Sequence, residues 1–118
     1  MPNIKEEEFC CPHVSALQKE MPDDDLCFDI ADFYKIFSDS SRLKILFTML
    51  EKEICVHDIS LLVNMSQSSV SHQLKFLRQS KVVKARRQGR LCYYSLDDDH
   101  IHDVLLLAKE HLNHKQQK

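Results

Sequence analysis

The sequence predicts a mainly α (α+β) fold with one two-stranded β hairpin, and three observations carry that prediction. Apolar residues recur at helical spacing in several separate segments. One segment, QSSVSHQLKFLRQ at 67–79, puts Val70, Leu74 and Leu77 on a single stripe and short polar side chains elsewhere. Directly after it, two β-rich runs at about 81–86 and 91–96 flank RQGR, which holds the only glycine of the chain. Two helices joined by a tight turn and followed by a basic hairpin make a winged helix-turn-helix.

A chain of 118 residues suits one domain with one modest core. A composition of 43% hydrophobic and 29% charged residues fits an ordinary soluble fold. Charges interrupt every apolar run, so no membrane-spanning helix is expected. The start, MPNIKEEEF, has no apolar core of a secretory signal, and a cytoplasmic protein is expected. Five cysteines, Cys10, Cys11, Cys27, Cys55 and Cys92, follow no regular spacing. In a reducing compartment they read as buried thiols or metal ligands rather than a disulfide framework.

The elements follow in order. Residues 1–25 read as a mobile polar arm with a short helix over 13–20, and 26–118 as the DNA-binding and dimerisation domain. LCFDIADFYKIF, at 26–37, has apolar residues at helical spacing. SDSSRLKILFTMLEK comes next, with Ser40 or Ser41 as cap and Leu43, Ile45, Leu46, Met49 and Leu50 as a buried face. VHDISLLV is a short helix, NMS a turn, and Ser66 the N-cap of the helix at 67–79. That helix exposes Gln67, Ser68, Ser69, Ser71, His72, Gln73 and Lys75, side chains suited to base edges and phosphates in a major groove. An ordinary surface helix would look similar.

The next stretch decides between them. No acidic residue lies between Asp58 and Asp97, while Lys75, Arg78, Lys81, Lys84, Arg86, Arg87 and Arg90 give that window a charge of +7. The whole chain carries only −2, so the flanks are acidic. A run of charge is usually a solvated face, but a window this long without an acid points to a polyanion. Gly89 sits where a hairpin needs positive φ, with Arg86, Arg87 and Arg90 about it, placed for phosphates or the minor groove.

The closing stretch DDDHIHDVLLLAKEHLNH, 97–114, reads as one helix. His100, Val104, Leu107, His111 and His114 form one stripe at spacings of 4, 3, 4 and 3, the seam pattern of two packed helices. Ile101, Leu105, Ala108 and Leu112 form a second stripe, so one can meet the core and the other a second chain. His102 points away from the seam. His100 and His111 are about 16 Å apart along the axis at the helical rise, whereas metal–nitrogen bonds are about 2 Å. One chain cannot close that site, but two antiparallel copies can. Asp98 and His100 of one copy would meet His111 and His114 of the other, provided Asp98 lies at the frayed helix start. This donor set suits zinc, or cobalt or nickel. Against it stands the plain alternative of acids on a helix dipole and solvated histidines.

With these residues assembled, the chain resembles the ArsR/SmtB family of metal-responsive repressors over roughly 28–114. The resemblance is carried by FSDSSRLKIL, EICVHDIS, SQSSVSHQLKFLR, VVKARRQGRLCYYSLDDDHI and the D-x-H…H-x-x-H pattern at 98–114. It implies a winged-helix homodimer that binds operator DNA, expected to be pseudo-palindromic, without metal and leaves it when Zn(II) or a similar divalent ion binds. It implies Asp98, His100, His111 and His114 as ligands, and a path from His111 towards the neighbourhood of His72. Cadmium- and lead-sensing relatives use C-x-C in an ELCVCDL motif plus N-terminal cysteines. Here EICVHDI keeps Cys55 and puts His57 at the second thiolate position. Cys10 and Cys11, with His13 in reserve, would complete a second site fit for zinc or Cd(II). The alternative is that Cys55 is a core residue; Cys27 and Cys92 read as packing.

Two rival classes remain. A thiol-responsive winged-helix regulator would use Cys10, Cys11 and Cys55. A zinc hydrolase needs an open coordination position and a general base, and the sequence offers no nucleophile motif, so the chain is not expected to be an enzyme.

Overall fold

The computed structural model describes residues 9–116. The element order is α1 (Val14–Glu20), α2 (Asp24–Ile36), α3 (Ser40–Phe47), β1 (Ile54–Cys55), α4 (Val56–Val63), α5 (Gln67–Gln79), β2 (Val83–Gln88), β3 (Leu91–Leu96) and α6 (Asp99–Gln116). The chain divides into two units, Met1–Lys35 and Ile36–Lys118.

The first unit holds α1 and all but the last residue of α2. The first eight residues of the expected mobile arm lie outside the described residues. The Asp23 carboxylate accepts the Leu26 N–H at 2.8 Å, and Asp24 and Asp25 favour the positive end of α2. Neither helix buries a residue. Leu26, Phe28, Ile30 and Tyr34 of α2 are all exposed. Cys27, expected to be a packing residue, is exposed as well, since no residue of α2 is buried.

The second unit carries the core. Ile45, Leu46, Ile59, Val70, Leu74 and Leu77 are each at most 1% exposed. The cap of α3 is Asp39, one position before the expected serines: one of its oxygens accepts the N–H of Ser41 at 2.8 Å and of Arg42 at 3.1 Å. Aspartate caps as well as serine, and Ser40 is already helical. The expected hairpin forms, but β2 starts at Val83 and runs on through Arg87 and Gln88, which the sequence placed in the turn, leaving Gly89 at φ +62° in a two-residue loop between Gln88 and Leu91. A third strand, β1, joins it in the order β1-β3-β2, pairing Ile54 with Tyr94 and Cys55 with Tyr93. Two residues carry too little periodicity to be read as a strand from sequence.

α5 ends in a tight cap. The Lys81 N–H bonds the Arg78 carbonyl and the Val82 N–H bonds the Leu77 carbonyl, both at 3.0 Å. This is the pair of bonds that needs a left-handed residue between them. Lys81 fills that place at φ +61°, without the freedom of a glycine. α6 meets the core with its second stripe for two turns only: Ile101 is 5% and Leu105 1% exposed, while Leu112 further along is 57% exposed. No helix among the described residues is long and apolar enough to cross a membrane.

Candidate DNA interface and metal-ligand residues

The helix-turn-helix is α4 and α5. α4 ends at Asn64, which takes the left-handed conformation at φ 57° that asparagine tolerates. The Met65 N–H returns to the Ser60 carbonyl at 3.1 Å, and Ser66 caps α5 by accepting the Ser69 N–H at 3.1 Å. With Val70, Leu74 and Leu77 buried, the opposite face presents Gln67, Ser68, Ser69, Ser71, His72 and Lys75 to solvent. These side chains are not all loose. The Ser66 hydroxyl meets those of Ser68 at 3.2 Å and Ser69 at 2.9 Å, and the Gln67 amide lies 3.2 Å from His57 Nδ1 on α4.

Gln73 differs from its neighbours. It is half-buried, and its carbonyl accepts from Arg42 Nε at 3.3 Å. Arg42, on α3, also donates to the Ile36 carbonyl at 3.2 Å and lies 4.3 Å over the Phe76 ring. Arg42 therefore ties α3 to α5. Sequence reading missed it because its partners on α5 lie more than thirty positions away, beyond any local pattern.

The wing divides its arginines by face. Alternation along a strand sends successive side chains to opposite sides, so Arg86 and Arg87 part company. Arg86 shares its side with its register partner Tyr93, whose ring lies 5.0 Å from the guanidinium. On that side it donates to Glu53 through Nε at 3.1 Å and Nη2 at 2.5 Å, and to Gln88 through Nη1 at 2.8 Å. Arg87 shares the other side with Cys92, Ala85 and Tyr94. There a hollow of about 540 Å³ opens, lined by Ser71, Lys75, Arg78 and Tyr94. Burial and the Cys92 thiol push the Tyr94 phenol above its usual range, while Arg78 and Arg87 pull it back in part. Tyr94 thus stays a neutral donor beside two cations. Arg90, in the loop, is exposed.

The metal-ligand candidates lie on α6. Asp98 immediately precedes the helix. One of its oxygens accepts the Ile101 N–H at 3.1 Å, and the other lies 3.6 Å from His100 Nδ1. The Ile101 N–H, with the His100 ring beside it, holds the Asp98 carboxyl below its usual range. Asp98 and His100 therefore sit together at the helix start, both exposed, with one carboxylate oxygen not used in capping. His111 and His114 are exposed further along. Val104 of the same stripe is half-buried and Leu107 is 65% exposed, so this stripe leaves the chain's own core. His102 turns to Asp103 at 3.1 Å.

Among the described residues no three His, Cys, Asp or Glu side chains gather closely enough to hold a metal within one chain. For the second set, Cys55 is half-buried at the β1–α4 junction and His57 is exposed on α4. Cys10, Cys11 and His13 are exposed within the first unit. Cys92 is half-buried, as a packing residue would be.

Known proteins share this architecture. Residues 39–85 match the family described as bacterial regulatory protein, arsR family. The chain is 37% identical to a transcriptional repressor SmtB homolog of Synechocystis over 84% of its own length and 75% of the relative's. It is 38% identical to a cadmium resistance transcriptional regulatory protein CadC homolog of Staphylococcus aureus, over 70% of this chain and 69% of that one. Among solved structures, apo-NmtR in solution matches with a TM-score of 0.73 and 33% identity, covering 83% of this chain and 82% of that one. Such relatives are transcriptional regulators with a DNA-binding winged helix, not enzymes. The chain belongs to the ArsR/SmtB family of metal-responsive transcriptional repressors.

Proposed function

We propose that this repressor acts in the cytoplasm as a homodimer, binds pseudo-palindromic operator DNA when metal-free, and is released by Zn(II) or a similar divalent ion. The observation that carries the proposal is the pairing of Asp98 with His100 at the exposed start of α6, with one carboxylate oxygen 3.6 Å from the ring nitrogen. That donor chemistry fits zinc. The remaining ligands would be His111 and His114 of a second copy. The exposed stripe of α6 and, separately within the first unit, the exposed apolar side chains of α2 each support self-association, since exposed apolar surface of this kind marks an interface. When bound, the ion would supply a cross-link between two α6 helices.

On DNA, α5 would offer Gln67, Ser68, Ser69, Ser71 and His72 to base edges, with Gln73 held back by Arg42 and presenting its amide. Lys75 and Arg78, with Tyr94, would take a backbone phosphate, and Arg87 and Arg90 would extend this along the wing. Metal and DNA then oppose each other through the spacing of the two α5 helices, a coupling that is reciprocal. The test is fluorescence anisotropy on a labelled duplex selected with the metal-free protein, at fixed salt. His111→Ala is expected to bind this duplex like wild type and to ignore added zinc. Normal release of that variant by zinc would refute the α6 site.

A further inference from the structure

The acid-free window offers Arg86 of the wing to DNA, and the fold gives its guanidinium protein partners. We infer that Arg86 is a positioning residue rather than a phosphate contact, and that Glu53 holds the DNA affinity of the wing down by occupying it. The inference rests on the reading of the wing as part of the DNA interface.

The geometry is specific. Nε and Nη2 of Arg86 form the two-pronged pair with the Glu53 carboxylate, the strongest arrangement available to a guanidinium. Nη1 is taken by Gln88, and the guanidinium lies against the Tyr93 ring. Three edges of the group are thus engaged by protein. The pair holds each partner in its charged form: the bond to Arg86 keeps Glu53 below its usual range, and the bond to Glu53 keeps Arg86 above its own. Glu53 lies just before β1 and Arg86 within β2, the two outer strands on either side of β3. The bridge therefore spans the sheet and fixes the wing to its third strand.

The side of the sheet matters equally. Lys75, Arg78 and Tyr94 line the hollow beside α5, and Arg87 lies on that side. Arg86 lies on the other, in a hollow where Lys52 and Lys84 are outnumbered by Glu51, Glu53, Asp97, Asp98 and Asp99. An approaching phosphate would meet more carboxylates than ammonium groups there and would have to displace one from Arg86.

The experiment measures affinity against salt, because each phosphate neutralised adds about 0.9 to the slope of log K against log salt. The probe is the selected duplex, with the metal-free full chain. Glu53→Gln frees the guanidinium in both wings of the dimer: the slope is expected to steepen by about 1.8, and affinity near 0.15 M salt to rise about thirtyfold. Arg86→Met keeps the stem against Tyr93 and should leave the wild-type slope unchanged. In the double variant, the gain from Glu53→Gln should vanish. A slope that flattens by about 1.8 in Arg86→Met would overturn the inference, since the Arg86 of each wing would already contact phosphate. So would a gain that survives in the double variant, which would mark Glu53 as a mere repulsive charge. Wild-type protein that binds the duplex with no salt dependence would instead overturn the underlying interface reading, whatever the variants do.

Discussion

Replacing Arg42 tests how the recognition helix is held. Its guanidinium donates to the Gln73 side chain at 3.3 Å and the Ile36 carbonyl at 3.2 Å, and stacks over Phe76 at 4.3 Å. Both bonds are long for N–H···O, so each is set at about 1 kcal/mol, below the usual range for charged donors. A half-buried cation on an aromatic face adds about 1 kcal/mol. The three share one group and do not add fully, so Arg42→Ala should cost about 2–3 kcal/mol. With a urea dependence of about 2 kcal/mol per molar, the unfolding midpoint should fall by about 1–1.5 M. Protein concentration must be fixed, because dimerisation shifts the midpoint. Arg42→Lys should recover little of the loss, since the ammonium lacks the planar fork. DNA affinity should drop with no change in salt slope, because no phosphate contact is removed. A loss below about 0.5 kcal/mol, typical of an uninvolved surface residue, would refute the brace.

Two further outcomes are expected. Lys81→Gly should stabilise the chain by about 0.5 kcal/mol: relief of the left-handed strain is worth about 1–2 kcal/mol, and glycine's extra unfolded freedom takes back part of it; urea unfolding reads this directly, and a loss would refute it. Glu53 has a folded-state pKa depressed by Arg86, so its contribution is present in full above the unfolded value and lost as pH falls through the lower folded one. Lys52 and Lys84 line the same hollow beside Arg86. The stability gap between wild type and Glu53→Gln should therefore be constant near neutrality and close below about pH 4; a gap that persists under acid would show that the carboxylate charge is not its source.

The contrast between these residues shows what a sequence makes legible. The α5 stripe, the Ser66 cap and the Gly89 turn are local features, each decided within a few positions, and each stands where periodicity and turn chemistry put it. Asp39 and its serine neighbours are equivalent caps by residue type, and position alone does not rank them. Strand β1, the Arg42 brace and the Glu53–Arg86 bridge join residues more than thirty positions apart. No periodicity encodes such pairs; they follow from the docking of elements. The pairing of Asp98 with His100 lay between these cases. The sequence shows that the pairing depends on where α6 begins, but only the fold puts that start at Asp99.

The alternation of the wing strand also bears on how such wings diversify. Three arginines give the same composition in any order, yet what a helical polyanion encounters depends on the parity of their positions. Moving an arginine by one place along β2 would transfer a cation from one side of the sheet to the other at no change in net charge. Operator affinity in wings of this kind can therefore drift through silent-looking swaps of neighbours, such as exchanging Gln88 with Arg87, that any count of charges would score as identical.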